Sequence, residues 1–328
     1  MHSDARTEHF VTLFDRRFIP IGLCLYASLK AHARPFRLWV IALDEEAEKA
    51  LLSLSLPDLS VVPLRDIETP ELLNVKKTRS LIEYFWTLSP FTFQAVFDRD
   101  PAAARVTYLD ADLYFFNAPA VLLQELDKTG KPVLITEHAY DPRYDQTADS
   151  GKFCVQFITV TRNEGGLKVM QWWQARCLEW CYNRVEDGKF GDQRYLDQWP
   201  LLFGREVHVL DQKSLALAPW NADYYASKDG RPPVFFHFHG LRIASARRIR
   251  LSTDYRIGKK ALAWYKAYAL GLSVQMALLE KRGIGFAFID PEPGSTGFLT
   301  VRRLKRIFRR KTEHWAFRLF SGRWTLVT

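Results

Sequence analysis

Apolar runs of two different periods alternate through the first third of the chain, and this alternation limits the possible folds more than any other feature. Residues 9–15 (HFVTLFD), 36–43 (FRLWVIAL) and 59–64 are short and rich in β-branched and aromatic side chains, which suits strands. Residues 21–31 and 45–54 lie between them and repeat their apolar positions at helical spacing. Strands separated by helices of this length cannot join through tight hairpins. They require crossovers, so the sheet is expected to be largely parallel with right-handed connections. Ligands of such sheets sit outside the carboxyl ends of the strands.

The next such strand ends in Arg105-Val106-Thr107-Tyr108-Leu109-Asp110-Ala111-Asp112, followed by the apolar Leu113-Tyr114-Phe115-Phe116. On extended chain, carboxylates at i and i+2 point to one side, where they repel unless a cation lies between them. A divalent metal with hard oxygen ligands fills that role, and Mg²⁺ or Mn²⁺ carrying a substrate diphosphate is the usual case. The plainer reading is a strand end whose two acids cap the next element, because short motifs often match by chance. Asp15, at the end of the first strand, falls at the same edge of the sheet and shares the expected cleft.

Further on, residues 78–97 read as helix with a break at Pro90, 122–126 as a short helix and 132–136 as a strand reaching Glu137-His138. Residues 139–151 lack periodicity and read as a loop, 153–160 as a strand, and 167–185 as an amphipathic helix whose Trp172, Trp173 and Trp180 belong to the core. A further helix opens at Asp192-Gln193, and residues 233–238 form a strand running into His237-Phe238-His239-Gly240. The alternation then stops. Residues 258–281 read as helix and 283–297 as a Gly/Pro loop. Cys24, Cys154, Cys177 and Cys181 show neither zinc spacing nor a disulfide framework, which points to a reducing compartment. No stretch suits a signal peptide or a membrane span, so a soluble or peripheral protein is expected.

Of the net charge of +9, residues 301–328 carry +8, with nine bases and one acid. The bases interleave with Leu304, Ile307, Phe308, Trp315, Phe317, Leu319, Phe320 and Trp324. Such a basic, aromatic, amphipathic tail, helical around Leu304–Phe308, suits an anionic membrane surface, and the plainer reading is a basic helix that faces water or packs on the domain. The main body is close to neutral and has no RNA- or DNA-binding motif, so nucleic acid is not an expected partner.

Alternation places His237 and His239 on one side of the strand, and imidazoles are metal ligands. Paired histidines near a glycine are more often plain hydrogen-bonded residues, but together with Asp-x-Asp they offer Asp, Asp and His to one ion. With these features in order, the chain resembles the GT-A nucleotide-sugar glycosyltransferases, and most closely glycosyltransferase family 8. The resemblance covers about residues 9–245. It rests on Phe10-Val11-Thr12-Leu13-Phe14-Asp15, Ala27-Ser28-Leu29, Tyr108-Leu109-Asp110-Ala111-Asp112, the strand from Phe153, Asp192-Gln193, and His237-Phe238-His239-Gly240. Two departures are visible. Cys154-Val155-Gln156 stands where the family usually has Asn-Ala-Gly, and Leu241-Arg242-Ile243 stands where a Lys-Pro pair follows the last motif.

The resemblance implies an α/β, Rossmann-like GT-A fold: a mixed, mostly parallel sheet flanked by helices, with a helical, basic C-terminal extension. Its implied parts are a catalytic domain over residues 1–245, a helical extension over 246–300 and the tail over 301–328. Asp110, Asp112 and His237 would hold Mn²⁺ or Mg²⁺, with His239 ranked behind them. Thr12, Asp15 and Phe18 would border the nucleotide, Asp15 accepting from the uracil N–H and Phe18 stacking on the ring. Asp110 would also reach the ribose, Glu137 and the Asp192-Gln193 pair would face the donor sugar, and Arg242 would stand in for the phosphate-binding lysine. The implied activity is transfer of a hexose-type sugar from a UDP-sugar, with retention, to a glycan or lipid-linked acceptor. Synthesis of a cell-surface polysaccharide or lipopolysaccharide, at the cytoplasmic face of the membrane, is the implied setting. An Asp-x-Asp phosphatase or phosphotransferase fits less well, with Tyr114 two positions beyond the second acid. An inactive scaffold would have little use for all three metal ligands.

Overall fold

The computed structural model describes residues 6–289 except 228, 246 and 247, and the backbone of 316–320 and 323–327. The strands are β1 Glu8–Phe14, β2 Phe36–Ala42, β3 Leu59–Pro63, β4 Arg105–Leu109, β5 Leu113–Phe115, β6 Val133–Glu137, β7 Phe153–Thr161, β8 Val207–Val209, β9 Ala216–Leu217, β10 Phe235–His237, β11 Arg242–Ser245, β12 Arg248–Arg250, β13 Ala316–Phe320 and β14 Arg323–Val327. The helices are α1 Ile19–His32, α2 Glu45–Leu54, α3 Pro70–Lys76, α4 Leu81–Leu88, α5 Phe91–Arg99, α6 Ala120–Thr129, α7 Thr147–Ser150, α8 Glu164–Glu179, α9 Trp199–Leu202, α10 Ala222–Tyr225 and α11 Lys259–Arg282.

Seven strands form the main sheet in the order β3-β2-β1-β4-β7-β6-β8. β3, β2, β1 and β4 run parallel, and β7 is antiparallel to both β4 and β6. The sheet is therefore mixed and mostly parallel. Strand order reverses at β1, between β2 and β4, and the carboxyl ends of β1 and β4 lead directly to Asp15 and Asp110. A switch of this kind opens the crevice in which α/β sheets bind ligands.

A second, three-stranded sheet, β5-β10-β9, builds the site. β5 begins one residue after Asp112 and pairs antiparallel with β10, so that His237 lies opposite Leu113. The Phe238 amide donates to the Asp112 carbonyl at 2.9 Å, closing the pair. Two segments more than a hundred residues apart are thereby locked in one register. Behind β10, Phe238 stacks on Tyr268 of α11 at 3.8 Å between centroids, and Phe236 packs on Trp264 and Tyr265. Phe236, Phe238, Tyr265 and Tyr268 are fully buried. Each such side chain contributes about 1.5–3 kcal/mol by burial, which fixes the strand that presents the histidines.

Three expectations change. α8 ends at Glu179 and not near residue 185; Trp180 is extended, and Asp187 and Gly188, both at positive φ, make a tight turn bridged by Glu186 and Lys189. Asp-Gly is the signal for such a turn. Asp192-Gln193 opens a 3₁₀ segment, Gln193–Gln198, before the single turn α9. The chain after Gly240 is not wholly helical: β11 and β12 form a four-stranded sheet with β14 and β13. The helix expected around Leu304–Phe308 lies outside the described residues. All four cysteines are buried and unpaired. No helix among the described residues is long and apolar enough to cross a membrane.

Candidate active site

A cleft of about 580 Å³ opens at the carboxyl ends of β1 and β4, within the range of small-ligand and cofactor sites. Asp15, Phe18, Asp110, Asp112, Asp192, Gln193, His237 and His239 all line it. Three expected residues do not. Thr12 is fully buried and its hydroxyl has no partner. Glu137 is clasped by Lys213 at 2.8 Å and Lys152 at 3.2 Å. The Arg242 guanidinium donates to the Leu241 carbonyl at 2.9 Å. The ion pairs of Glu137 account for its place, since two ammonium groups hold the carboxylate against the protein body.

The acids and imidazoles converge as their register requires. His237 Nε2 lies 3.0 Å from Asp112 Oδ1 and 3.7 Å from Asp110 Oδ2. Its other nitrogen, Nδ1, meets the side-chain oxygen of Gln156 at 2.9 Å. The Gln156 amide nitrogen donates to Thr136 at 3.2 Å, and the Gln156 carbonyl accepts the Asp110 amide at 3.0 Å. One buried side chain thus ties the acid turn to the imidazole. With Nδ1–H held by that oxygen, an Nε2 that gives up its proton presents a lone pair toward the acids.

The electrostatics describe a site short of positive charge. Burial raises the Asp110 carboxyl, and the neighbouring Asp112 adds to this against the pull of His237. Burial also penalises Asp112, but the charge and hydrogen bond of His237, with His239 and Arg242, outweigh it and hold its pKa down. Burial works against charging His237, yet Asp112 and Asp110 drive its pKa well up. A proton shared among two acids and an imidazole is therefore stabilised where a cation would also be. Converging carboxylate oxygens and an aimed imidazole nitrogen suit a divalent ion, so the residues present fit a metal.

The other end of the cleft differs. Asp192 is buried, and its pKa is pushed up to about 7, mainly by desolvation and further by the Asp110 charge. Trp173 donates its indole N–H to the Asp192 carbonyl at 2.8 Å, fixing the backbone there. Gly191 has φ +53°, and a Cβ there would meet the Trp86 ring at 3.2 Å. Gln193 donates to the Ser150 carbonyl at 2.9 Å, which ties its amide nitrogen to the 139–151 segment. Where β1 ends, Asp15 accepts the Arg17 amide at 2.9 Å and pairs with the Arg17 guanidinium at 2.6 Å.

Sequence reasoning passed over Arg17, Trp86, Trp220 and Tyr255, all of which line the cleft, and nothing in their local pattern marks them. Gln156 was visible only as a departure from the family pattern.

No protein-family model matches the chain. It is 30% identical over 260 residues to the uncharacterized protein YfnF of Bacillus subtilis (strain 168), across 74% of this chain and 85% of that protein. It is also 30% identical over 279 residues to the uncharacterized protein YfnD of the same organism, across 81% and 89%. Among solved structures it is similar to the galactosyltransferase LgtC in complex with donor and acceptor sugar analogues, with a TM-score of 0.52 and 14% identity, over 81% of this chain and 95% of that one. At that identity the likeness speaks for the fold. The chain belongs to the family of YfnF and YfnD, and its fold is the GT-A fold of the nucleotide-sugar glycosyltransferases.

Proposed function

We propose that the protein is a metal-dependent glycosyltransferase that moves a hexose-type sugar from a UDP-sugar to a glycan or lipid-linked acceptor. The observation that carries this reading is the convergence of Asp110, Asp112 and His237 at the strand-order reversal of a GT-A fold. In transfer, the bond from the anomeric carbon to the diphosphate oxygen breaks and one to an acceptor hydroxyl forms. A bound Mn²⁺ or Mg²⁺ would supply charge neutralisation at the departing diphosphate. Asp15 and Phe18 would hold the base, Asp110 the ribose, and Asp192 and Gln193 the donor sugar. Gln193 beside the anomeric carbon is the arrangement a retaining outcome needs. Trp86, against Gly191, closes the sugar end with an apolar wall.

The experiment is UDP release from UDP-sugars with and without Mn²⁺, in wild type and Asp112→Ala. Release that ignores both the metal and the substitution contradicts the reading.

The acceptor and setting remain part of the same proposal, supported by the +8 charge of residues 301–328. That segment would meet an anionic surface at the cytoplasmic face of the membrane. Truncation before it would also remove β13 and β14, which pair with β12. Charge reversal at Arg302, Arg303 and Arg306 is therefore the cleaner test, read as sedimentation with anionic vesicles. Equal sedimentation of variant and wild type argues against the surface.

A further inference from the structure

In the cleft, Asp112, His237 and His239 each offer one ligand atom within 4.8 Å of the others. Asp110 is not one of that group, and its Oδ1 accepts the Tyr108 hydroxyl at 3.1 Å. The backbone explains why the second histidine arrives. Phe236 and Phe238 turn into the core, so His237 and His239 turn out of it into the cleft. Gly240, at φ +74°, then bends the chain away, and a Cβ there would meet Thr253 Oγ1 at 2.8 Å. Only a glycine fits both that φ and that approach. His239 is held in place by rings: Trp220 packs on its edge at 5.6 Å and also on His237 at 5.4 Å. The two imidazoles stand at 89° to each other.

We propose that His239 is a metal ligand beside His237 and the Asp112 carboxylate, so that two imidazoles hold the ion. The inference rests on the reading of the cleft as a metal-dependent nucleotide-sugar site. It adds a second imidazole to that site's expected ligand set. Imidazole nitrogen suits transition cations, while Mg²⁺ demands oxygen ligands in near-ideal octahedral geometry and gives up water reluctantly. Two imidazoles and one carboxylate would leave room on the ion for diphosphate oxygens.

The test uses the full chain with UDP, comparing wild type with His239→Ala and His239→Gln. Calorimetry with MnCl₂ and MgCl₂ measures affinity, and pulsed electron paramagnetic resonance of the Mn²⁺ complex counts coupled imidazole nitrogens. The expected result is two nitrogens in wild type and one in each variant. Mn²⁺ affinity should fall about 10- to 100-fold, and Mg²⁺ affinity should change far less. Melting temperatures without metal establish that the variants fold. One nitrogen in wild type, with Mn²⁺ affinity unchanged in the variants, overturns the role of His239 and leaves a metal site on Asp110, Asp112 and His237 standing. Failure of Mn²⁺ to bind at all in the presence of UDP overturns both this inference and the proposed function.

Discussion

The two ends of the cleft deal with burial in opposite ways. Where β4, β5 and β10 meet, Asp112 and His237 are packed so closely that each offsets the desolvation of the other, while Asp110 stays raised to about 6. Asp112 is held below the usual carboxylate range and His237 is driven above the usual imidazole range. At the other end Asp192 sits beside Trp86, Phe190 and Tyr108 in the cleft wall, and its pKa climbs to about 7. One end is prepared for a charged group and the other for a neutral, hydroxyl-rich one. A nucleotide sugar has that polarity, with its diphosphate at one end of the reacting bond and its pyranose at the other.

The largest effect should follow from breaking the charged end. Asp112→Ala removes a carboxylate within 3.0 Å of His237; we expect a loss of about 10³-fold or more in UDP release, with a nearly unchanged melting temperature. Retention of most Mn²⁺-dependent turnover would show that the acids do not hold the ion. At the neutral end, Gln193→Ala should lower the rate about 10²-fold while UDP affinity, read by calorimetry, changes much less. Equal losses in rate and affinity would make Gln193 a plain binding residue.

The charged end also depends on a side chain that touches no substrate. Gln156→Leu leaves His237 Nδ1 without its acceptor, so the ring can turn and exchange tautomers. Metal affinity is expected to drop about 10- to 100-fold, and Gln156→Glu, which keeps an acceptor there, should recover a good part of it. If Leu and Glu variants titrate Mn²⁺ alike, the hydrogen bond has no part in orienting the imidazole.

Gln156 marks where the sequence stops being legible. β1, β2, β3 and α2 lie within a residue or so of their expected bounds, because each is long enough to show its period and ends at a turn signal. The acids and His237 were recognisable because alternation on extended chain is local information. The pairing of β5 with β10 is not local; each has three residues, too few to show a period. β11 and β12 are missed for the same reason. Glu137 and Arg242 sit at expected positions on the chain, but partners elsewhere in the fold decide where their charges go: Lys152 and Lys213 for the one, the Leu241 carbonyl for the other. The Asp187-Gly188 turn was legible in principle, and the continuing apolar pattern of α8 hid it.

The desolvated acid at the other end predicts a pH dependence. Asp192 titrates near 7 in the folded protein and near 3.8 when unfolded, so the folded state binds the extra proton between those values. Its stabilising contribution is complete below about pH 4 and is lost as pH rises through 7. Asp192→Asn should therefore be more stable relative to wild type at pH 8 than at pH 5, by on the order of 1–3 kcal/mol. The comparison cancels other titrating groups. Parallel stability curves for the two proteins would mean that Asp192 is already ionised at neutral pH, and the contrast between the two ends would fail.

The smallest effect is expected at Asp15, where β1 meets the cleft. Asp15 is buried like Asp192, yet the Arg17 guanidinium at 2.6 Å and the Arg17 amide at 2.9 Å occupy its oxygens. A carboxylate has about four lone-pair sites, so one oxygen can still accept from a ring N–H. Because that bond is shared with a charged partner, its worth falls toward the lower end for such bonds, about 1 kcal/mol, or about fivefold in affinity. Uracil offers a donor at the ring position where cytosine offers an acceptor. Wild type should therefore bind UDP about fivefold more tightly than CDP, and Asp15→Asn, which can turn either face of its amide to the base, should remove most of the difference. Equal affinities for UDP and CDP in wild type would reduce Asp15 to a structural partner of Arg17, and base choice would then have to come from the shape of the pocket around Phe18.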